Sequence, residues 1–306
     1  MAPEAAGLAP PAAMVEHRFR SMACDVVVLA PAGRPDAAPL VRDVFERWDA
    51  RFSRFRPDSE LEQLNDAEGT PFQASLPMLT VLTAAIRAAR ATDGLFDPLL
   101  GARMVELGYD RTFDELPRRS ASVAPGPWRA GAWRGIEIDT ERRTVSLPAG
   151  HRLDLGGLAK GMAVDAAIEA LVEEGVRHAA VSAGGDLAVA GLPPGQASWP
   201  IAIDGIGETV VALQHGALAT SSVLRRRWVV DRSERHHLID PRTGMPSSGP
   251  IVQASVAARS CGAAEVAAKM AVLSDLPTAI GRLQAHRLAA LLLTAGGDAW
   301  RVGTWQ

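Results

Sequence analysis

The chain has 306 residues, enough for one large or two medium domains with a real hydrophobic core. With 47% hydrophobic and 22% charged residues and a formal net charge of −3, it has the composition of a soluble globular protein, and nothing favours a nucleic acid or an anionic membrane as partner. Its two cysteines, Cys24 and Cys261, lie far apart and form no metal-spaced cluster, so two reduced thiols are expected.

Residues 1–14 are rich in alanine and proline and lack the basic and apolar segments of a secretion signal; no run reaches the length of a membrane span. They read as a flexible tail on a cytoplasmic protein. Residues 19–29, FRSMACDVVVL, read as a strand whose second half is buried. An amphipathic helix comes next over 38–52, with Val41, Val44, Phe45, Trp48 and Phe52 on one face. Pro57 then turns the chain, and Asp58 or Ser59 caps a short helix begun by Leu61 and Leu64. A second amphipathic helix over 77–91 ends at Asp93-Gly94. In LFDPLLG, Phe96 and Asp97 precede a proline and are extended. They line a flat ligand, or else they are a core phenylalanine and a capping aspartate. Residues 116–133 are an irregular excursion, and 136–139 with 144–147 form a hairpin around a charged turn.

Residues 152–165, RLDLGGLAKGMAVD, are the stretch around which the chain is organised. Gly156 and Gly157 sit where a strand hands over to a helix, whose apolar face carries Ile168, Leu171 and Val172. Free backbone N–H groups and the helix dipole make such a turn suited to an anion. Lys160 falls in the helix's first turn, where the dipole disfavours a cation. It is explained by a phosphate or a buried carboxylate; otherwise it is a surface lysine beside an ordinary glycine turn. Further on, 179–182 is a strand leading into AGGDLAVAG, where Gly184 and Gly185 allow a backbone other residues resist. Strands are expected at 200–203 and 210–213, and ALATSS reads as a small-residue turn entering another strand. HHLIDPRTGMP makes a proline turn closed by Gly244. A strand over 252–257, a helix with Glu265 and Lys269 four residues apart, a further helix and a hairpin over a GGD turn complete the chain. Strands and helices mix without regular βαβ alternation, which indicates an α+β fold.

SMAC, RFRPDSELEQLN, DGLFDP, LDLGGLAKGMAVDAA, VSAGGDLAVAG, ALATSS, HLIDPRTGMP and the AAEVAAKMAVL helix together resemble, in order over residues 19–293, the flavin transferases of the ApbE type. The resemblance implies that 15–306 is a single domain of two interleaved subdomains, with mixed sheets and FAD in a cleft between them. It implies FAD:protein FMN transfer: a divalent metal, usually magnesium, helps cleave the FAD pyrophosphate, FMN passes to a threonine or serine hydroxyl of a partner protein, and AMP leaves. Such a reaction requires positive charge on the phosphoryl oxygens, a base for the attacking hydroxyl and close positioning. By position, Met22, Phe55, Leu95, Phe96, Asp97, Asp154 and Ile239 would line the cofactor, and Lys160 would lie near phosphate. His237 is the candidate base, or else an exposed member of the RHH run.

The chain departs from that family at the metal. Where the family offers an aspartate and, four residues on, a threonine or serine, beside a backbone carbonyl corresponding to Gly157, this chain has Glu265 and Lys269. A protonated lysine only donates hydrogen bonds and cannot ligate a cation. Three alternatives stand: Glu265 still binds a hard cation through oxygen with Gly157 as the second metal residue, or Lys269 takes the metal's place with Glu265 and the Gly157 carbonyl as partners, or Glu265 and Lys269 form a surface pair. Two glycines of the family's pattern are Ala23 and Ser222 here, which shifts the backbone if either position requires a positive φ. Four readings are open: the transferase, a non-catalytic FAD-binding relative, a hydrolase splitting FAD to FMN and AMP, and a structural or nucleic-acid module. The last lacks a basic patch with interleaved aromatics.

Overall fold

The computed structural model describes residues 14–116, 125–207, 209–230 and 232–305. The chain opens with β1 (Met14–Ser21), β2 (Cys24–Pro31) and helix α1 (Ala37–Phe52). Then come α2 (Glu60–Asp66), β3 (Phe72–Gln73), α3 (Leu76–Ala91), α4 (Gly101–Glu106), β4 (Glu137–Asp139) and β5 (Thr144–Ser146). Helix α5 (Ala159–Glu173) leads into β6 (Ala179–Ala183), β7 (Asp186–Ala190), β8 (Trp199–Ala202), β9 (Val210–Leu213) and β10 (Gly216–Ser222). Four short strands come after these: β11 (Arg227–Val230), β12 (Ser233–His236), β13 (Ile239–Asp240) and β14 (Met245–Pro246). The chain closes with β15 (Ile251–Ala258), α6 (Cys261–Val272), α7 (Leu276–Ala285), β16 (Ala289–Thr294) and β17 (Ala299–Val302). The architecture is α+β.

Two compact units share this chain. The first takes Met1–Arg47, Lys160–Ser221 and Pro250–Gln306, the second Trp48–Ala159 and Ser222–Gly249. The first unit is built on a sheet in the order β1-β2-β6-β7-β10-β15-β16-β17. Of its three non-consecutive neighbour pairs, β2-β6 and β10-β15 bracket the segments that leave for the second unit, and β7-β10 brackets the β8–β9 pair. One core cluster of this unit gathers Leu29, Ala180, Leu187, Trp199, Ile201 and Leu291. Each fully buried large aliphatic side chain of this kind contributes about 1.5–3 kcal/mol. Helix α6 packs on β15 and α7.

The second unit holds α2, α3, α4 and the small sheets β3-β5-β4, β11-β12 and β13-β14. Helix α3 buries Met78, Leu79, Val81, Leu82, Ala85 and Ala89, the one-sided spacing its sequence shows. Ser59 and Ser75 cap α2 and α3 by accepting the N–H of Glu62 and Met78.

Several local expectations are corrected. The strand expected over 19–29 is a hairpin: Ser21 pairs with Cys24, and Met22 and Ala23 form the turn with φ of +49° and +53°. Two successive left-handed residues give a turn whose twist matches the flanking strands. The tail expected over 1–14 meets the described residues at Met14, which is already in β1. ALATSS is no turn but most of β10, between β7 and β15, where Ala217, Leu218 and Ala219 are fully buried. On α5 the buried face is Ala163, Val164, Ala167 and Leu171, while Val172 is 52% exposed. The excursion expected over 116–133 falls partly outside the described residues. Among the described residues no helix is long and apolar enough to cross a membrane.

Candidate functional site

In the first unit, three charged groups far apart in sequence meet. Lys160 stands one residue into α5, and its ammonium contacts Asp186 Oδ2 and lies 3.2 Å from Glu265 Oε1. The side chains of Lys160, Asp186 and Glu265 are only 12%, 3% and 6% exposed. The surface-lysine reading is thereby corrected: the opposing helix dipole is outweighed by two buried carboxylates. Removing one member of such a set strands the others without compensation, at a cost of about 3–5 kcal/mol. Burial pushes the Asp186 carboxyl up to about 7, against the pull of Lys160.

Backbone geometry places each of these groups. Gly184 and Gly185, with φ of +59° and +102°, form a two-residue turn that delivers Asp186 at the first position of β7, opposite Ala183. Glu265 lies on the second turn of α6, and its Oε2 accepts the N–H of Gly161 at 2.9 Å. Gly161 allows that approach, because a Cβ there would sit 2.8 Å from the carbonyl of Cys261. Asp165 seals the same junction by accepting the N–H groups of Cys261 (2.7 Å) and Gly262 (3.0 Å) at the start of α6. Asp186 carries no ligand or catalytic motif of its own in the sequence. Its signal was the AGGD turn, which specifies where the next residue begins a strand.

The reading of Glu265 and Lys269 as a surface pair is also corrected. Glu265 is buried, and its two oxygens engage the Lys160 ammonium and a backbone N–H. Lys269 is half-buried one turn further along α6, and its positive charge acts on Asp186. Magnesium requires near-octahedral oxygen ligands at about 2.0–2.1 Å. Glu265 presents oxygens already held by donors, and the residue one turn on carries a cation. Among the described residues no group of three or more His, Cys, Asp or Glu is arranged to hold a metal ion. The residues present do not fit a divalent cation.

In the second unit, Arg54 organises a different cluster. Its Nε lies 3.1 Å from Asp154 Oδ2, and its Nη1 donates to the Tyr109 carbonyl at 2.7 Å. The guanidinium carbon sits 4.1 Å from the centre of the Phe55 ring and 4.4 Å from that of Tyr109. Tyr109 stacks on Trp228 with ring centres 5.2 Å apart, and Ile239 belongs to the same core. Of the expected cofactor residues, Phe55, Asp154 and Ile239 are thus found in one neighbourhood. Asp154 also caps its own turn by accepting the Gly156 N–H at 2.7 Å, and Gly157 is the next residue of that turn. Arg54 has no signal beyond one arginine among several in RFSRFR. The side-chain nitrogen Nη2 is buried without a hydrogen-bond partner among the described residues.

Leu95, Phe96 and Asp97 are buried, and Asp97 Oδ1 accepts the N–H of Leu99, the capping alternative of the sequence reading. His237 is half-buried beside His236. His236 has both ring nitrogens engaged: Nε2 with the Ser247 carbonyl (2.9 Å) and Nδ1 with the Leu238 N–H (3.3 Å). Of the two departed glycines, Ala23 takes the left-handed conformation and Ser222 does not. Met22 shares the Ala23 turn, in the first unit.

The architecture defines an α+β protein of two compact units, each built from separate stretches of the chain. A structure of the ApbE protein from Thermotoga maritima shares the fold at a TM-score of 0.85 and 24% identity, covering 94% of this chain and 97% of that one. The flavin transferase ApbE from Vibrio cholerae does so at 0.76 and 22%, covering 95% and 98%. The ApbE family model matches residues 21–293, and the chain belongs to the ApbE family. A relative from Chlamydia trachomatis, described as an FAD:protein FMN transferase, is 30% identical over 245 residues, which are 78% of this chain and 76% of that protein. One from Vibrio cholerae with the same description is 27% identical over 271 residues, 84% and 79% of the two chains.

Proposed function

We propose that this protein is an FAD:protein FMN transferase acting on a threonine or serine hydroxyl of a partner protein. The observation that carries the reading is the family match over residues 21–293, together with relatives of that description over most of both chains. The acceptor hydroxyl oxygen attacks the phosphorus of the FMN half. A new P–O bond forms, the P–O bond to the AMP phosphate breaks, and AMP leaves with the bonding electron pair. The hydroxyl proton passes to His237, whose neutral imidazole suits that task near neutral pH.

Lys160 supplies positive charge to the phosphoryl oxygens as they gain negative charge. It is suited to this because its ammonium is already fixed between Asp186 and Glu265. Within the second unit, Phe55 and Ile239 offer apolar faces to the cofactor's rings, with Asp154 in the same neighbourhood. Leu95, Phe96 and Asp97 are buried, and Asp97 fixes the turn at Pro98 by accepting the Leu99 N–H.

The test is incubation of purified protein with FAD and a threonine-containing acceptor domain, following AMP release and acceptor mass. Equal yields of AMP and FMN-modified acceptor establish the transferase. AMP with free FMN and an unmodified acceptor would make it a hydrolase under those conditions. FAD binding without AMP across several acceptor domains would favour the non-catalytic relative, which the departure at Glu265 and Lys269 motivates.

A further inference from the structure

The donor set around Glu265 leads beyond that reading, and rests on it for the identity of the ligand. We infer that Lys269 is a resident cation of this site: its ammonium and that of Lys160 balance the carboxylates of Asp186 and Glu265, so the chain binds FAD and transfers FMN without a divalent metal ion.

Two buried carboxylates, Asp186 and Glu265, share the Lys160 ammonium, and the half-buried Lys269 follows Glu265 by one turn on the same helix. The nearby Asp165 carboxylate is compensated separately, by two N–H groups at the start of α6. A divalent cation brought to Glu265 would therefore enter a cluster already near neutrality. It would have to displace an ammonium from a buried carboxylate, and repulsion between like charges in a low-dielectric setting opposes that.

Ligand chemistry points the same way. Glu265 Oε2 is spent on the Gly161 N–H and Oε1 on Lys160. Turning the carboxylate to a metal would leave the Gly161 N–H without its acceptor at a junction too tight for even a Cβ. The side chain one turn on, Lys269, brings donors and no lone pair while charged. The helix itself favours this cation. Lys269 lies in the last turn of α6, where the dipole stabilises positive charge, and glutamate four residues before lysine is the better orientation for the pair.

Magnesium is titrated into the full-length protein, with and without saturating FAD, by calorimetry, and FAD affinity is measured by flavin fluorescence in EDTA and in excess magnesium. The expected result is no stoichiometric magnesium binding and an FAD Kd that differs by less than about twofold between the two conditions. Lys269→Thr should lose at least about tenfold in FAD affinity in EDTA. Lys269→Met, which keeps the apolar stem, should show the same loss in EDTA. Stoichiometric magnesium binding by the unmodified chain, or FAD affinity raised about tenfold by magnesium, would overturn the proposal. So would a folded Lys269→Met with unchanged FAD affinity in EDTA. If the chain binds no FAD at all, the transferase reading fails by itself, and the magnesium titration of the free protein still decides the metal question.

Discussion

Lys160 is a cation in the first turn of a helix, a position the helix dipole opposes, and it remains there because Asp186 and Glu265 hold it. Lys160→Met should therefore destabilise the fold by about 3 kcal/mol, read as a fall in the urea midpoint. The double variant Lys160→Met/Glu265→Gln should recover part of that loss, because one stranded charge is gone. Equal loss in both variants would show that stem packing, and not charge, was at stake. Ala23 gives the opposite case. Its φ of +53° is a conformation that glycine adopts without penalty, so Ala23→Gly should stabilise by about 0.5–1 kcal/mol. A destabilised variant would mean that glycine's greater freedom in the unfolded chain outweighs the relief.

At the scale of elements, the approach of α5 to the start of α6 is the feature on which the ammonium cluster depends. Gly161→Ala places a methyl 2.8 Å from backbone atoms of Cys261 and Gly262, which a rigid helix terminus cannot yield. The expected cost is about 1–3 kcal/mol, with weakened FAD binding as Glu265 is pushed from its N–H partner. Unchanged stability and affinity would show that the two helices separate freely. His236 sets a pH dependence at the end of β12. Burial pushes its pKa below the ordinary value, and its Nδ1 must stay unprotonated to accept the Leu238 N–H. The folded pKa lies below the unfolded one, so between the two the unfolded chain binds more protons. The stabilisation is complete above about pH 6.5 and is lost as pH falls through the window below it. Chemical denaturation across that range should show a slope that is reduced in His236→Gln.

For the whole molecule, the chain crosses repeatedly between the two units, so neither is one continuous segment. Each unit is assembled from segments distant in sequence, so each depends on the whole chain being folded. A ligand that binds only the folded chain stabilises it by mass action. FAD at about 100 times its Kd should add about 2.7 kcal/mol, and should do so equally in EDTA and in magnesium. A melting temperature that rises only when magnesium accompanies FAD would contradict the metal-free site.

The sequence by itself determined the elements that have one wet face. Helices α1 and α3 and the β4–β5 pair announce themselves because burial on one side leaves a period in the residues. The ordered motifs also carried the family, and LDLGGLAKG marked the turn before α5. Strand β10 escaped because both faces are covered in the middle of the sheet, and small buried residues carry no alternation. The hairpin at Met22-Ala23 escaped because neither residue is the glycine or asparagine that usually signals left-handed backbone. The tertiary structure alone decided the site's charges. Lys160 finds Asp186 across 26 residues and Glu265 across 105, so the neighbour that matters to Glu265 is only partly the lysine one turn away. Helical periodicity is a local property of the chain, whereas Coulomb energy depends on distance and burial in space, and only folding sets those.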